Sequence, residues 1–206
     1  MNKEIRAFNF EVRAEETEGG HILTGQPIVY NERTDLGWYD EIIDDGALSG
    51  TDLRDVRFLV NHNTDMIPLA RSRNNNANST MQMSVVEGKG LFLDHVNLDT
   101  ENNADARALW SAVNRGDITG MSFMFTVEED AWDEPESEHP TRHIRAISRV
   151  FEVSAVTFPA YSATSIQARG LSEALESARD SLENERARRA AIERQKQKIR
   201  IMTEVL

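Results

Sequence analysis

Residues 116–127, Gly-Asp-Ile-Thr-Gly-Met-Ser-Phe-Met-Phe-Thr-Val, limit the fold more than any other stretch of this chain. Two glycines frame a turn, and beyond it Met121, Phe123, Phe125 and Val127 alternate with Ser122, Met124 and Thr126. A period of two is the signature of a strand with one buried face. Ser122 falls at the start of that strand among large apolar neighbours, a place where a small hydroxyl ordinarily packs or hydrogen-bonds. Two further segments change its meaning. Val56–His62 is a strand that delivers His62 at its end, and Arg149–Tyr161 is a strand that carries Glu152 between bulky apolar residues. A serine, a histidine and a carboxylate on three separate strands form a candidate nucleophile, base and orienter.

The same period recurs along the chain. Ile5–Val12 predicts a first strand, and His21–Tyr30 a second, joined by an acidic turn that ends in Gly19-Gly20. Trp38–Ile43 is short and apolar, and Ala47–Leu53 predicts a turn or two of helix. Met81–Val86 and Gly90–Leu98 flank Glu87-Gly-Lys-Gly90, a hairpin signal. The period then lengthens. Asp99 or Thr100 is placed to cap a helix through Ala104, Ala108, Leu109, Ala112 and Val113, which stops at Arg115-Gly116. Glu128–Pro140 is acidic with two prolines and predicts a mobile hairpin tip, after which Arg142–Ile147 and Val150–Phe158 are returning strands. Seven or eight short strands around one helix predict a mainly β fold with flanking helices (α+β). The expected form is a closed or nearly closed β-barrel of about seven strands.

Beyond Arg169-Gly170 the character changes. Ser172–Arg200 has no proline or glycine and is rich in Ala, Glu, Arg, Lys and Gln, the composition of a long helix. The chain therefore divides into a body of residues 1–169 and a helical tail of residues 170–206. Ala178, Leu182, Ile192, Ile199 and Leu206 share one stripe of that helix, but Glu185, Arg189, Lys196 and Thr203 interrupt it, which argues against an autonomous coiled coil. A solvated extension and a docking helix both fit.

Charge and cysteine content exclude whole classes of function. The net charge of -12 sits in the body: residues 171–206 carry eight Lys/Arg against seven Asp/Glu, leaving 15 bases against 28 acids before them. A surface this acidic repels phosphate backbones, so nucleic acid is not an expected partner. The absence of cysteine excludes disulfides and thiolate metal sites and suits a reducing cytoplasm. No apolar run reaches the length of a membrane span, and Met1–Arg6 lacks the apolar core of a signal peptide, so a soluble intracellular chain is expected. His139 and His143 have i,i+4 spacing, but Pro140 between them breaks the helix a metal pair needs; Gly88-Lys-Gly90 is a turn rather than a phosphate loop. No metal and no cofactor are expected.

Several motifs together resemble one family. Tyr30-Asn31, Gly46-Ala47, Asn61-His62-Asn63, the helix ending Arg115-Gly116-Asp117, Gly120–Phe125 and Phe151–Tyr161 look like the prohead maturation proteases of tailed bacteriophages, distant relatives of the herpesvirus assemblin. The resemblance spans roughly Gly25–Arg169. It implies a β-barrel flanked by helices and a serine endopeptidase that digests the internal scaffold of the immature capsid, and usually itself. Its nucleophile corresponds to Ser122, its base to His62 and its third member to Glu152, although assemblins use a second histidine there, a role open to His143. The implied partners are the major capsid protein with its scaffold segment, and self-association. The implied place of action is the host cytoplasm, inside the assembling prohead. Leu69-Ala70-Arg71 departs from the family pattern, which has a glycine in place of Ala70.

The chemistry stands apart from the resemblance. A serine hydroxyl becomes a competent nucleophile when a neutral imidazole within hydrogen-bond reach takes its proton. A carboxylate on the other ring nitrogen fixes the tautomer. Gly120-Met-Ser-Phe-Met124 lacks the second glycine of a nucleophile elbow, which argues against an α/β-hydrolase. The competing class is a non-catalytic capsid assembly or scaffolding protein that keeps the protease fold and binds through its long helix.

Overall fold

Among the described residues the alternating segments build eleven strands, and these lie in two open sheets rather than one closed barrel. The computed structural model describes residues 3–8, 12–157 and 165–204. The larger sheet contains β1 (Lys3–Phe8), β4 (Thr34–Asp35), β5 (Asp40–Ile43), β6 (Arg57–Val60), β7 (Ala70–Arg71), β10 (Gly120–Asp133) and β11 (Thr141–Val156). Its order is β1-β10-β11-β5-β4, with β6 paired to β11 and then to β7. The smaller sheet contains β2 (Val12–Thr17), β3 (Gly20–Val29), β8 (Met81–Val86) and β9 (Gly90–Leu98), in the order β2-β3-β9-β8.

The expected barrel does not close because its corners are bridged by isolated bonds instead of ladders. Val12 N–H reaches Thr119 O at 3.4 Å, and Thr80 N–H reaches Arg71 O at 3.0 Å. At the edge of β8 a side chain takes the place of a strand. Asn75 donates its amide to Met83 O at 2.7 Å and accepts from Met83 N–H at 3.2 Å. Both main-chain groups that a further strand would have paired are thereby satisfied.

One continuous core lies between the sheets. Met121, Phe123 and Phe125 of β10 and Val150, Val153 and Ala155 of β11 meet Leu23, Ile28, Leu91, Leu93 and Val96 of the smaller sheet. Each fully buried Phe or Leu contributes about 1.5–3 kcal/mol over its exposed state. The helix α1 (Ala104–Asn114) adds Ala106, Leu109 and Val113 to this core. Its cap is Asn103, whose side chain accepts from Asp105 N–H and Ala106 N–H, rather than the expected Asp99 or Thr100. Asp99 instead accepts from Asn102 N–H at 3.0 Å, one turn earlier.

Other segments differ from expectation. The predicted single strand Ile5–Val12 is split between the sheets into β1 and β2, and Asn9–Glu11 lie outside the described residues. Ala47–Leu53 forms turns, with no helix. The predicted mobile tip is shorter than expected, because β10 runs on to Asp133 and leaves only residues 134–140 as the turn before β11 starts at Thr141. Arg142 Nε pairs with Asp130 at 2.7 Å across that ladder, which ties one carboxylate of the acidic stretch to the returning strand. Residues 158–161 lie outside the described residues. The helix α2 (Ser165–Glu204) splits in character along its length. Ala178 and Leu182 are buried against Tyr39 and Trp132, whereas every residue from Ala187 to Met202 is exposed.

Beneath α2 lies a buried charge network. Arg6 donates to Glu4 at 2.6 Å and to both oxygens of Glu41, while Arg142 donates to Glu4 at 2.9 Å and to Glu41 at 3.4 Å. Ser177 of α2 donates to Glu4 at 3.0 Å. All four charged side chains are at most 2 % exposed, so each has given up its water for the others.

Candidate active site

The strand β11 organises the site. It pairs antiparallel to β10, with Ser122 opposite Ser154, and parallel to β6, with Leu59 opposite Ser154. Directly opposed residues share a face, so Ser122 and Ser154 both point away from the core that takes Phe123 and Val153. Glu152 reaches the same face two residues earlier. The ladder between Met124/Phe125 and Glu152/Val150 is irregular, which leaves Phe151 unpaired and beside Glu152 as a bulge. Phe151 is held there between two cations, with Lys3 N-ζ 4.4 Å and the Arg149 guanidinium 4.9 Å from its ring centre.

His62 follows β6, in a turn that folds its ring back over β11. Asn61 and His62 have φ of 51° and 56°, left-handed values that cost non-glycine residues about 1–3 kcal/mol each. The turn is held by four bonds to β11 and the residue after it. Asn61 N–H donates to Ala155 O at 3.0 Å, and Asn61 Nδ2 to Thr157 Oγ1 at 3.0 Å. Thr157 N–H donates to Asn61 Oδ1 at 2.9 Å, and His62 N–H to Ser154 Oγ at 3.1 Å.

Held this way, His62 Nδ1 lies 2.5 Å from Glu152 Oε1, with both side chains buried. An ionised carboxylate only accepts, so Nδ1 carries the proton and Nε2 is left with its lone pair. That nitrogen is buried and has no hydrogen-bond partner among the described residues. Ser122 is fully buried too, but its Oγ donates to Arg6 O of β1 at 2.7 Å and not to His62. The structure therefore joins His62 to Glu152 and brings Ser122 to the neighbouring position of the same sheet face, without the serine–histidine bond. A cleft of about 330 Å³ opens beside Glu152, walled by Lys3, Arg57, Leu59, Met66 and Phe151.

The other histidines are elsewhere. His143 sits nine residues before Glu152 on β11, roughly 30 Å away along an extended strand. Its ring bonds Asp44 at 2.7 Å and pairs with Asp133 at 3.3 Å. His21 bonds Thr100 at 2.6 Å and packs edge-on against Trp110. His139 faces Asp40 at 3.0 Å; with Asp35 these two are close enough to share a cation, but Arg33 already donates to Asp40 at 2.8 Å. Sequence reasoning misses Ser154, which donates to Glu152 Oε2 at 2.6 Å. Its one sequence signal is the i,i+2 spacing to Glu152 on a strand.

Comparison with known families adds a match. A family model described as caudovirus prohead serine protease covers residues 8–177. No curated protein and no solved structure matches the chain.

Proposed function

Because the chain belongs to the caudovirus prohead serine protease family, we propose that it is the serine endopeptidase that matures a phage prohead, cleaving the scaffold region of the major capsid protein and itself. The observation that carries this reading is the buried His62–Glu152 contact of 2.5 Å, with Nε2 lacking a partner among the described residues, and a buried serine on the neighbouring strand of the same sheet. In the reaction Ser122 Oγ leaves Arg6 O for Nε2. Nε2 takes the hydroxyl proton as Oγ bonds to the scissile carbonyl carbon. Glu152 steadies the imidazolium, which then gives the proton to the leaving amine. Water repeats the sequence on the acyl-enzyme, and the serine is released. Apo sites commonly tighten this hydrogen bond only once substrate is present. The work is done in the host cytoplasm, inside the assembling shell. No helix among the described residues is long and apolar enough to cross a membrane.

The same observation on Ser122 favours one other reading. A hydroxyl committed to Arg6 O, with no bond to His62, suits an assembly protein that keeps the fold without the activity. Co-expression with the cognate major capsid protein separates the two. Mass spectrometry is expected to find shortened capsid protein with the wild-type chain and none with Ser122→Ala, since loss of a triad nucleophile costs about 10⁶ in rate. Intact capsid protein in both cases would support the assembly reading.

A further inference from the structure

Three hydrogen bonds form a ring that begins and ends on His62. Its backbone N–H donates to Ser154 Oγ at 3.1 Å, Ser154 Oγ–H donates to Glu152 Oε2 at 2.6 Å, and Glu152 Oε1 accepts from His62 Nδ1 at 2.5 Å. Ser154 has no exposed surface. Its only proton goes to the carboxylate, and its lone pair takes the amide of a residue whose backbone is left-handed. We propose that Ser154 is a positioning residue for this site, in addition to the three residues named above. This rests on the peptidase reading of Ser122, His62 and Glu152.

The argument is one of degrees of freedom. A carboxylate bonded through one oxygen still rotates about its last side-chain bond, and that bond has a broad, two-fold profile. Fixing Oε2 by Ser154 removes this rotation and keeps Oε1 on Nδ1. An imidazole still swings if its backbone shifts, and the His62 turn is strained towards shifting. Bonding His62 N–H to the same hydroxyl ties the ring's root to the group that orients its tip. Carboxylate and histidine are thus placed relative to each other by one atom on the central strand. Ser154 touches neither substrate nor the reacting atoms, so it acts only through Glu152 and His62. A serine that merely filled buried space would affect folding without affecting the orientation of the ring.

The test uses the full chain and a fluorophosphonate probe that labels the nucleophilic serine. Ser154→Ala is expected to lower the limiting labelling rate of Ser122 by roughly 10- to 100-fold, the worth of one hydrogen bond to a charged group, with little change in probe concentration at half-saturation. In the Glu152→Gln background the same substitution is expected to cost much less, because the group it acts through is already altered. If Ser154→Ala does not fold, Ser154→Cys keeps the shape but donates weakly and carries the same expectation. A second readout is independent of activity: the downfield proton resonance of His62 Nδ1–H, expected to shift or broaden when Ser154 is replaced. Wild-type labelling by a folded Ser154→Ala chain, with an unmoved resonance, would overturn the proposal. Absence of labelling in the wild-type chain would overturn the peptidase reading instead, and the resonance alone would then decide whether Ser154 positions His62.

Discussion

Replacing Glu4 by glutamine tests how the N-terminal strand is held beside Ser122. Glu4 is 1 % exposed and accepts from Arg6, from both terminal nitrogens of Arg142 and from Ser177. Together with Glu41 and with Asp130, which accepts from Arg142 at 2.7 Å, this makes three carboxylates about two guanidiniums; Glu4→Gln removes one of the two carboxylates that bridge Arg6 and Arg142 and leaves their buried donors facing a neutral side chain. The glutamine also turns an N–H₂ group towards donors. Breaking a buried pair by removing one partner costs about 3–5 kcal/mol, against a total stability of about 5–15 kcal/mol. For a chain of this size each kcal/mol moves the thermal midpoint by roughly 2–4 °C, so a drop of about 6–20 °C is expected at pH 7.

The pH dependence supplies the sharper check. Burial pushes the Glu4 carboxyl up, but the charges of Arg6 and Arg142 outweigh it and hold the group below its ordinary range. A carboxyl depressed in the fold stabilises it fully above its unfolded value, and loses that contribution as pH falls through the folded value. The wild-type chain should therefore lose stability below about pH 4 in a way that Glu4→Gln does not, and the two unfolding curves should converge. The assay is urea unfolding of both chains at several values between pH 7 and pH 3. A difference under about 1 kcal/mol at pH 7, or one that stays constant down to pH 3, would refute the reasoning.

Truncation and one substitution probe the frame around the site. A chain ending at Ala190 keeps Ala178 and Leu182 packed against Tyr39 and Trp132 and should melt within a few degrees of the full chain, whereas one ending at Arg169 should be destabilised by more than the about 2–5 kcal/mol that Leu182→Ala alone costs; equal midpoints in a scanning fluorimeter would exclude α2 from the core. In Gly90→Ala the new Cβ would lie 2.0 Å from Ile28 O on a backbone with φ of 124°, so the β3–β9 ladder must open, and a thermal midpoint equal to wild type would show that it does not.

How much of this was legible follows from what each signal depends on. Strand positions are local: Met121, Phe123 and Phe125 alternate because one face is buried, and that pattern is in the chain itself. Strand lengths are not local. Glu128–Asp133 looks like solvated loop until Asp130 meets Arg142 on the returning strand and Trp132 meets α2, the latter contact made 49 positions away in sequence. Sheet closure is harder still, since a barrel and two open sheets share the same strands and differ in a few edge bonds such as those of Asn75 to Met83. Within the site, His62 and Glu152 stand out as titratable residues in apolar strands. Ser154 does not, because a buried serine announces nothing about its partners, and neither does Arg6, whose backbone carbonyl holds Ser122.

The register of β11 joins these observations. Its side chains alternate, so a slip of one residue against β10 would turn Glu152 and Ser154 into the core and bring Val153 to the site. The polarity of Phe151–Val156 already opposes such a slip, since Phe151, Val153 and Ala155 alternate with Glu152 and Ser154. The charged residues guard against it strongly. At one end of the strand Arg142 must reach Glu4, Glu41 and Asp130, and no neighbour in sequence can take its place without leaving those carboxylates unpaired in a dry interior. At the other end the bulge at Phe151 absorbs one residue, so that Glu152 and Ser154 face His62 while Val150 still faces the core. The buried network and the bulge act on the same strand from opposite ends, and between them they set which side chains His62 meets.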